Sequence, residues 1–377
     1  MKFLPEIENT VEWIVNICFW TIGLIHLFWI AFFYIRIAFH REKKKTKSTA
    51  PVSIIICARN EAVNLSLFLP KVLEQNYPEF EVIVVNHQST DDTEYIINTL
   101  KKTHAHLKSI KIEKNNHLAF GKKLPLTIGI KGAKYDKILL TDADCAPLSE
   151  NWLQNMSDQF TEKKKIVLGY APMLKEKGIL NKIIRLDTSF IALNYLSYAK
   201  SGIPYMGVGR NLAYTKELFL ENKGFKSHYA LKSGDDDLFI QEVAKRNNYT
   251  ICLNPDTFCY SEAKKTWKDW INQKSRHFTT SARYPLFKKL MLGIYPLTLL
   301  LLFISFVTLL FSGWMNWFSF SVFAFIMMTK WVVLGLSFKK LAEPSFIVGI
   351  LFWDLLYAII APIIYYATEQ STAAKWK

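Results

Sequence analysis

Lys137-Ile138-Leu139-Leu140-Thr141-Asp142-Ala143-Asp144-Cys145 is a short apolar run that ends in two carboxylates separated by one small residue. Bounded by Lys137 and Thr141, the run predicts a buried strand, and alternation continued past its end aims Asp142 and Asp144 to the same side. Two carboxylates facing one way repel unless something positive sits between them. A hard divalent cation that keeps its waters and also takes phosphate oxygens suits such a pair. Aspartate is equally at home in strand-end turns, so the stretch alone leaves a plain turn open.

The neighbouring stretches supply the context. Val52-Ser53-Ile54-Ile55-Ile56-Cys57 is almost unbroken apolar sequence, as in a strand covered on both faces, and it delivers Arg59, Asn60 and Glu61 to its end. Leu65, Phe68, Leu69, Val72 and Leu73 follow with helical spacing until Tyr77-Pro78 breaks the pattern. Glu81-Val82-Ile83-Val84-Val85 reads as the next strand and ends at Asn86-His87-Gln88-Ser89-Thr90-Asp91. Asp91 with Glu94 has capping-box spacing and predicts a helix to about Lys102. Strand, helix, strand, helix implies an α/β fold with a doubly wound, mostly parallel sheet, whose ligands bind beyond the carboxyl ends of the strands. Residues 59–61, 86–91 and 142–144 all sit there. Packing alone does not require that convergence, so a binding site outweighs a set of turns.

Gly121-Lys122 opens a further helix, either offering a cation and backbone N–H groups to a phosphate or forming a plain solvated helix start. The spacing is not that of a P-loop, which argues against NTP hydrolysis. Residues 178–200 place Ile179, Leu180, Ile183, Ile184, Ile191 and Leu193 among polar residues, which fits a helix in the membrane interface somewhat better than a core helix. Gly207, Gly209, Arg210 and Asn211 form a loop suited to close backbone approach, and Ser233-Gly234-Asp235-Asp236-Asp237-Leu238 carries more acid than a helix start needs. Trp267, Trp270, Ile271 and Phe278, set among Lys264, Lys265, Lys268 and Lys274, predict an amphipathic helix on the cytoplasmic leaflet that bears Gln273 and Arg276.

The chain has 377 residues, 50% of them hydrophobic and 15% aromatic, and the apolar ones are clumped. Residues 13–35, 290–311, 317–338 and 346–366 approach the ~20 apolar residues that span a hydrocarbon core, giving one N-terminal and about three C-terminal transmembrane helices. The first is too long for a signal peptide and lacks a small-residue cleavage site, so it reads as an anchor. The net charge of +15 clusters beside these spans, which points to a membrane surface and not to nucleic acid. Arg41, Lys43, Lys44, Lys45 and Lys47 follow the first span and Lys339-Lys340 the third, whereas residues 312–316 carry no charge and Lys2, Glu6 and Glu8 precede the first. By the positive-inside rule the large domain faces the cytoplasm. The expected division is a helix and basic linker at 1–48, an α/β domain at 49–262, an interfacial helix at 263–288 and transmembrane helices at 289–377. Five cysteines without Cys-X-X-Cys spacing read as reduced packing residues. Lys330 and Asp354 each fall ~12 Å inside a span at 1.5 Å per residue, at matching heights on antiparallel neighbours. Either they pair, or Lys330 reaches back to the surface and Asp354 meets a water or backbone group.

Taken in order, Arg59-Asn60-Glu61, Ser89-Thr90-Asp91, Gly121-Lys122, Asp142-Ala143-Asp144, the Asp235-Asp236-Asp237-Leu238 segment and Gln273-X-X-Arg276 resemble an inverting family 2 glycosyltransferase of the GT-A fold across roughly residues 51–283. The resemblance implies that Asp142 and Asp144 hold Mg²⁺ or Mn²⁺ against the diphosphate of a nucleotide-sugar, with a UDP-sugar expected. It implies Asp235 as general base, Asp236 as its runner-up because Gly234 stands where the family has Glu, and Arg276 as stabiliser of the leaving diphosphate. The implied donor site comprises Arg59, Glu61, Asn86, His87, Asp91, Lys122, Asp142, Arg210, Gln273 and Arg276. Asn86 and His87 replace the aspartates that usually read the base, and His277 replaces the Trp that polymer-making members carry after Gln-X-X-Arg. With few spans for a conduit, this favours single addition to a lipid or lipid-linked acceptor over a processive polysaccharide synthase. A non-catalytic scaffold of the same fold would not need the carboxylates, and a transporter would carry internal repeats among its spans.

Overall fold

The computed structural model describes residues 9–42, 45–113 and 121–369. The topology expectations attached to Lys2, Glu6, Glu8, Lys43 and Lys44 lie outside the described residues. In chain order, α1 (Thr10–Trp29) passes through a π-helical turn (Ile30–Tyr34) into α2 (Ile35–Ala38). Then come β1 (Val52–Ala58), α3 (Ala62–Leu73), β2 (Phe80–His87), α4 (Thr93–Lys101), β3 (Leu107–Ile112), α5 (Lys123–Gly132), β4 (Lys137–Asp142), β5 (Cys145–Pro147), α6 (Trp152–Ser157) and β6 (Ile166–Leu168). They are followed by α7 (Ile179–Lys200), β7 (Leu212–Thr215), α8 (Lys216–Glu221), α9 (Asp237–Val243), β8 (Tyr249–Ile251) and β9 (Cys259–Ser261). The chain closes with α10 (Trp267–Ser281), α11 (Leu286–Phe311), α12 (Trp317–Lys340) and α13 (Ile350–Glu369).

Seven strands form one sheet in the order β3-β2-β1-β4-β7-β6-β8, and β5 pairs separately with β9. The first four are mutually parallel, whereas β7 runs antiparallel to both β4 and β6. Every residue of β1 is buried, as its unbroken apolar run requires of a strand between two parallel neighbours. Alternation sorts the strand residues onto two faces. Ile54, Ile56, Val82 and Val84 pack under α3, α4 and α6, while Ile55, Cys57, Ile83 and Val85 face α5 and α7. Each such side chain contributes about 1.5–3 kcal/mol by leaving water. Gly129 lets α5 lie close on the sheet: a Cβ there would meet Ile55 Cγ2 at 2.7 Å and Val85 Cγ2 at 3.0 Å. This close seat fixes the start of α5, where Lys122 stands.

The second face continues without a break into the apolar helices. Trp29, Phe33, Tyr34 and Ile37 of the N-terminal helix share one core with Phe190, Tyr195 and Tyr198 of α7 and with Tyr295, Leu334 and Phe338. The expectation that α7 lies in the interface is corrected here, because most of its residues are buried between sheet and bundle. Its polar residues are spent on that junction. Asn194 accepts from Tyr34 OH at 2.8 Å, Tyr198 OH donates to Met291 O at 3.1 Å, and Arg185 Nε donates to Glu343 Oε1 at 2.8 Å.

Among the described residues, three helices are long and apolar enough to cross a membrane: Thr10–Ala38, Leu286–Phe311 and Trp317–Lys340. The fourth expected span is not among these three. Pro344–Phe346 forms a 3₁₀ turn before α13, whose described side chains run from Ile350 to Tyr366. α13 packs against α10, α7, α11 and α12.

Candidate active site

The carboxyl edge of β1, β2 and β4 gathers the polar clusters. At the end of β4 the backbone turns after Asp142 and re-enters β5 at Cys145, so Asp142 and Asp144 approach through this turn and not through strand alternation. One ligand atom each of Asp142, Asp144 and Cys145 lie within 4.8 Å of one another. Cys145 was expected to be a packing residue only. Its thiol is pushed up by burial, reinforced by its hydrogen bond with Cys259 and the nearby Asp144 carboxylate.

Lys122 organises the centre. Its Nζ lies 2.5 Å from Asp142 Oδ1 and 3.6 Å from Asp235 Oδ2, joining the strand-end carboxylate to the acidic segment before α9. Burial opposes its charge, but the Asp142 and Asp235 carboxylates outweigh burial and hold the ammonium well above its ordinary value. For Asp142, burial is likewise overcome, by Lys122 first and then by the Arg210 and Arg276 guanidinium groups, which keeps the carboxyl below its usual range.

The three consecutive aspartates have separate environments. Asp235 faces Lys122. Asp236 Oδ2 accepts the Gly209 N–H at 3.0 Å, and burial together with Asp235 and Asp237 pushes its carboxyl up to about 7. Asp237 Oδ2 accepts from Thr280 Oγ1 at 2.5 Å and Tyr284 OH at 2.7 Å, tying this loop to the end of α10. Gly234 has φ of 104°, a left-handed conformation that strains a side-chain residue, which is a local reason for glycine at this position. Gly209 is a close approach: a Cβ there would come within 3.2 Å of Lys122 Nζ.

The remaining predicted residues divide. Arg276 and Arg210 lie near enough to Asp142 to act on its charge, and Arg210 Nη1 donates to Ser261 Oγ. Neighbouring Asn211 is fully buried and spent on structure, donating to Tyr170 O and Thr257 O and accepting from Trp152 Nε1. Gln273 sits half-buried on α10. Asn86 and His87 end β2 in buried positions, and burial plus the Arg59 guanidinium pulls His87 down to about 4, leaving a neutral imidazole at neutral pH. Glu61 Oε2 accepts from Asn64 at 2.5 Å.

Asp91 is exposed and engaged with the neighbouring backbone. Its oxygens accept from Thr93 Oγ1 at 2.6 Å, Thr93 N and Ala62 N, so it joins the starts of α3 and α4, and no reciprocal capping box with Glu94 forms. Asp187 and Tyr284 carry no signal in the sequence, whereas Asp237 falls in the acid-rich segment before α9 and Lys274 among the basic residues of α10.

Residues 137–366, more than half of the chain, match the family model described as glycosyl transferase family group 2, and residues 53–203 match glycosyl transferase family 2. Poly-beta-1,6-N-acetyl-D-glucosamine synthase of Staphylococcus epidermidis is 29% identical over 178 residues, 46% of this chain and 41% of that one. The probable glycosyltransferase YdaM of Bacillus subtilis is 27% identical over 287 residues, 71% of this chain and 65% of its own length. The chain therefore spans less than two thirds of these curated relatives. The mannosyltransferase PcManGT from Pyrobaculum calidifontis, solved in complex with GDP-Man and Mn²⁺, shares the fold with a TM-score of 0.55 at 18% identity, covering 92% of this chain and 99% of that one.

Proposed function

The chain belongs to the family 2 glycosyltransferases, and from that premise we propose that it moves a sugar, with inversion, from a nucleotide-sugar to a lipid or lipid-linked acceptor at the cytoplasmic membrane face. The observation that carries this reading is the Lys122 bridge between Asp142 and Asp235, which brings a donor-side carboxylate and a candidate base to one cation at the sheet edge.

In this mechanism Lys122, Arg210 and Arg276 receive the donor's diphosphate, and the neutral edge of Asn86 and His87 meets the base of a UDP donor. Asp235 takes the proton from the acceptor hydroxyl as its oxygen attacks the anomeric carbon from the face opposite the diphosphate. The carbon–oxygen bond to the diphosphate breaks, its electron pair stays with the leaving group, and the guanidinium of Arg276 and the ammonium of Lys122 balance that charge. Asp236 lies next to the base, bound to the Gly209 N–H, and stands as the alternative base.

The donor set fits a hard divalent cation. Two carboxylates converge, and the buried Cys145 thiol, held protonated, leaves oxygen as the available ligand chemistry. Asp144, with Asp142, would hold Mg²⁺ or Mn²⁺, which supplies Lewis-acid stabilisation of the diphosphate when bound.

The acceptor reading rests on the continuous core that joins the sheet to three membrane-length helices, and on Arg41, Lys45, Lys47, Lys339 and Lys340 at one end of them. The name of the staphylococcal relative favours polymer synthesis as a second reading. His277 in place of Trp supports single addition. The test is to offer UDP- and GDP-sugars with Mn²⁺ to the full chain in nanodiscs containing bacterial lipid extract. Nucleoside diphosphate release coupled to one sugar per lipid is expected. Transfer only to soluble sugars would overturn the acceptor, and long product ladders would favour the synthase.

A further inference from the structure

The helix bearing Gln273 and Arg276 is an amphipathic segment of 15 residues, and its placement decides whether Arg276 reaches the site. Two residues along an α-helix are roughly 200° apart, so Lys274 projects to the side opposite Arg276. That side is buried. Lys274 and its partner Asp187 on α7 are 6% and 7% exposed, and the ammonium forms an ion pair with the carboxylate. Asp187 Oδ1 also accepts from Tyr357 OH of α13 at 3.3 Å.

Close contacts continue beneath this pair. Tyr357 stacks flat on Phe190 of α7, with ring centroids 4.5 Å apart and planes at 6°, and Arg185, earlier on α7, pairs with Glu343. The far end of α10 is held from the site side by Asp237 through Thr280 and Tyr284. Phe278 packs edge-on against Tyr365 of α13 at 5.1 Å. Replacing a buried ion pair by apolar residues usually costs little stability, but breaking it leaves a buried charge, so a slip of α10 by one residue is disfavoured more strongly than an apolar contact would make it.

We propose that Asp187 and Lys274 are positioning residues, which with Tyr357 set the rotation of α10 and thereby aim Gln273 and Arg276 at the donor's diphosphate. The juxtaposition makes α13 part of the catalytic framework through one hydroxyl and one ring. The inference rests on the reading that Arg276 stabilises the leaving diphosphate.

The experiment compares the full chain in nanodiscs with Lys274→Met, Asp187→Asn, Tyr357→Phe and the exchanged pair Asp187→Lys/Lys274→Asp. Amide exchange over residues 267–281 should rise about tenfold or more in the two charge-breaking variants and less in Tyr357→Phe, with β1 and β4 still protected. With UDP-N-acetylglucosamine and Mn²⁺ as the probe, kcat should fall about 30-fold or more while KM changes by less than about threefold, the pattern of an interaction made in the transition state. The exchanged pair should recover protection and part of kcat. Unchanged exchange over 267–281, or activity loss that follows only global unfolding, overturns the proposal. If the wild type does not turn over this probe, the donor choice fails, and exchange with the exchanged-pair rescue decides the positioning role.

Discussion

Lys330 of α12 and Asp354 of α13 form a sealed ion pair, with Nζ 2.5 Å from Oδ2 and side-chain exposures of 0% and 1%. Tyr295 OH of α11 donates to the same Asp354 oxygen at 2.7 Å and stacks on His26 of α1, so the pair sits at the junction of four helices. Of the two readings open from sequence, pairing is the one the structure adopts.

We predict that Asp354→Asn destabilises the helical domain by about 3–5 kcal/mol, because Lys330 is left buried without its counter-charge. Lys330→Met added to it should recover part of that loss. A double-mutant cycle in detergent or nanodiscs, read by thermal unfolding, checks it, and simple additivity would mean the two side chains act independently.

Asp144→Asn should abolish metal-dependent nucleotide binding, whereas Asp235→Asn should spare binding and lower turnover by about 10²–10⁴-fold, since a base acts only on the acceptor's proton. Calorimetry with UDP and Mn²⁺, alongside nucleoside diphosphate release, separates the two. Full activity in Asp235→Asn would transfer the role of base to Asp236.

Lys122→Met should remove donor binding and also destabilise the domain, because Asp142 and Asp235 would then face each other without the ammonium between them. Gly209→Ala, whose Cβ would press on Lys122 Nζ at 3.2 Å, should weaken nucleotide binding in the same direction with a smaller effect. Unaltered binding of UDP with Mn²⁺ in Lys122→Met would remove this residue from the donor site.

Asp236 gives a pH signature. Its folded-state value of about 7 lies above the ordinary 3.8, so the folded chain binds the proton more tightly than the unfolded one. The associated stabilisation is complete below the ordinary value and is lost as pH rises through about 7. Unfolding temperatures measured from pH 5 to about 8 should therefore decline less steeply in Asp236→Asn than in the wild type. Parallel curves for the two proteins would contradict this assignment.

By itself the sequence determined the strands and the edge on which the site lies. The unbroken apolar run of β1 has to be buried on both faces, and a parallel order then sends Arg59, Asn86 and Asp142 to the same side. It also determined three long apolar helices, because length and composition are properties of a contiguous segment. Tertiary structure decided which charge meets which. Lys122 finds Asp235, and Asp187 finds Lys274, across long loops whose closure no local periodicity encodes. It engaged Asp91 as a joint between the starts of α3 and α4, brought Cys145 to the paired carboxylates through a turn, and buried α7 where its mixed polarity suggested a membrane surface. A mixed apolar and polar helix has the same sequence pattern whether its polar residues meet water, headgroups or buried partners, and only the packing around it selects among them.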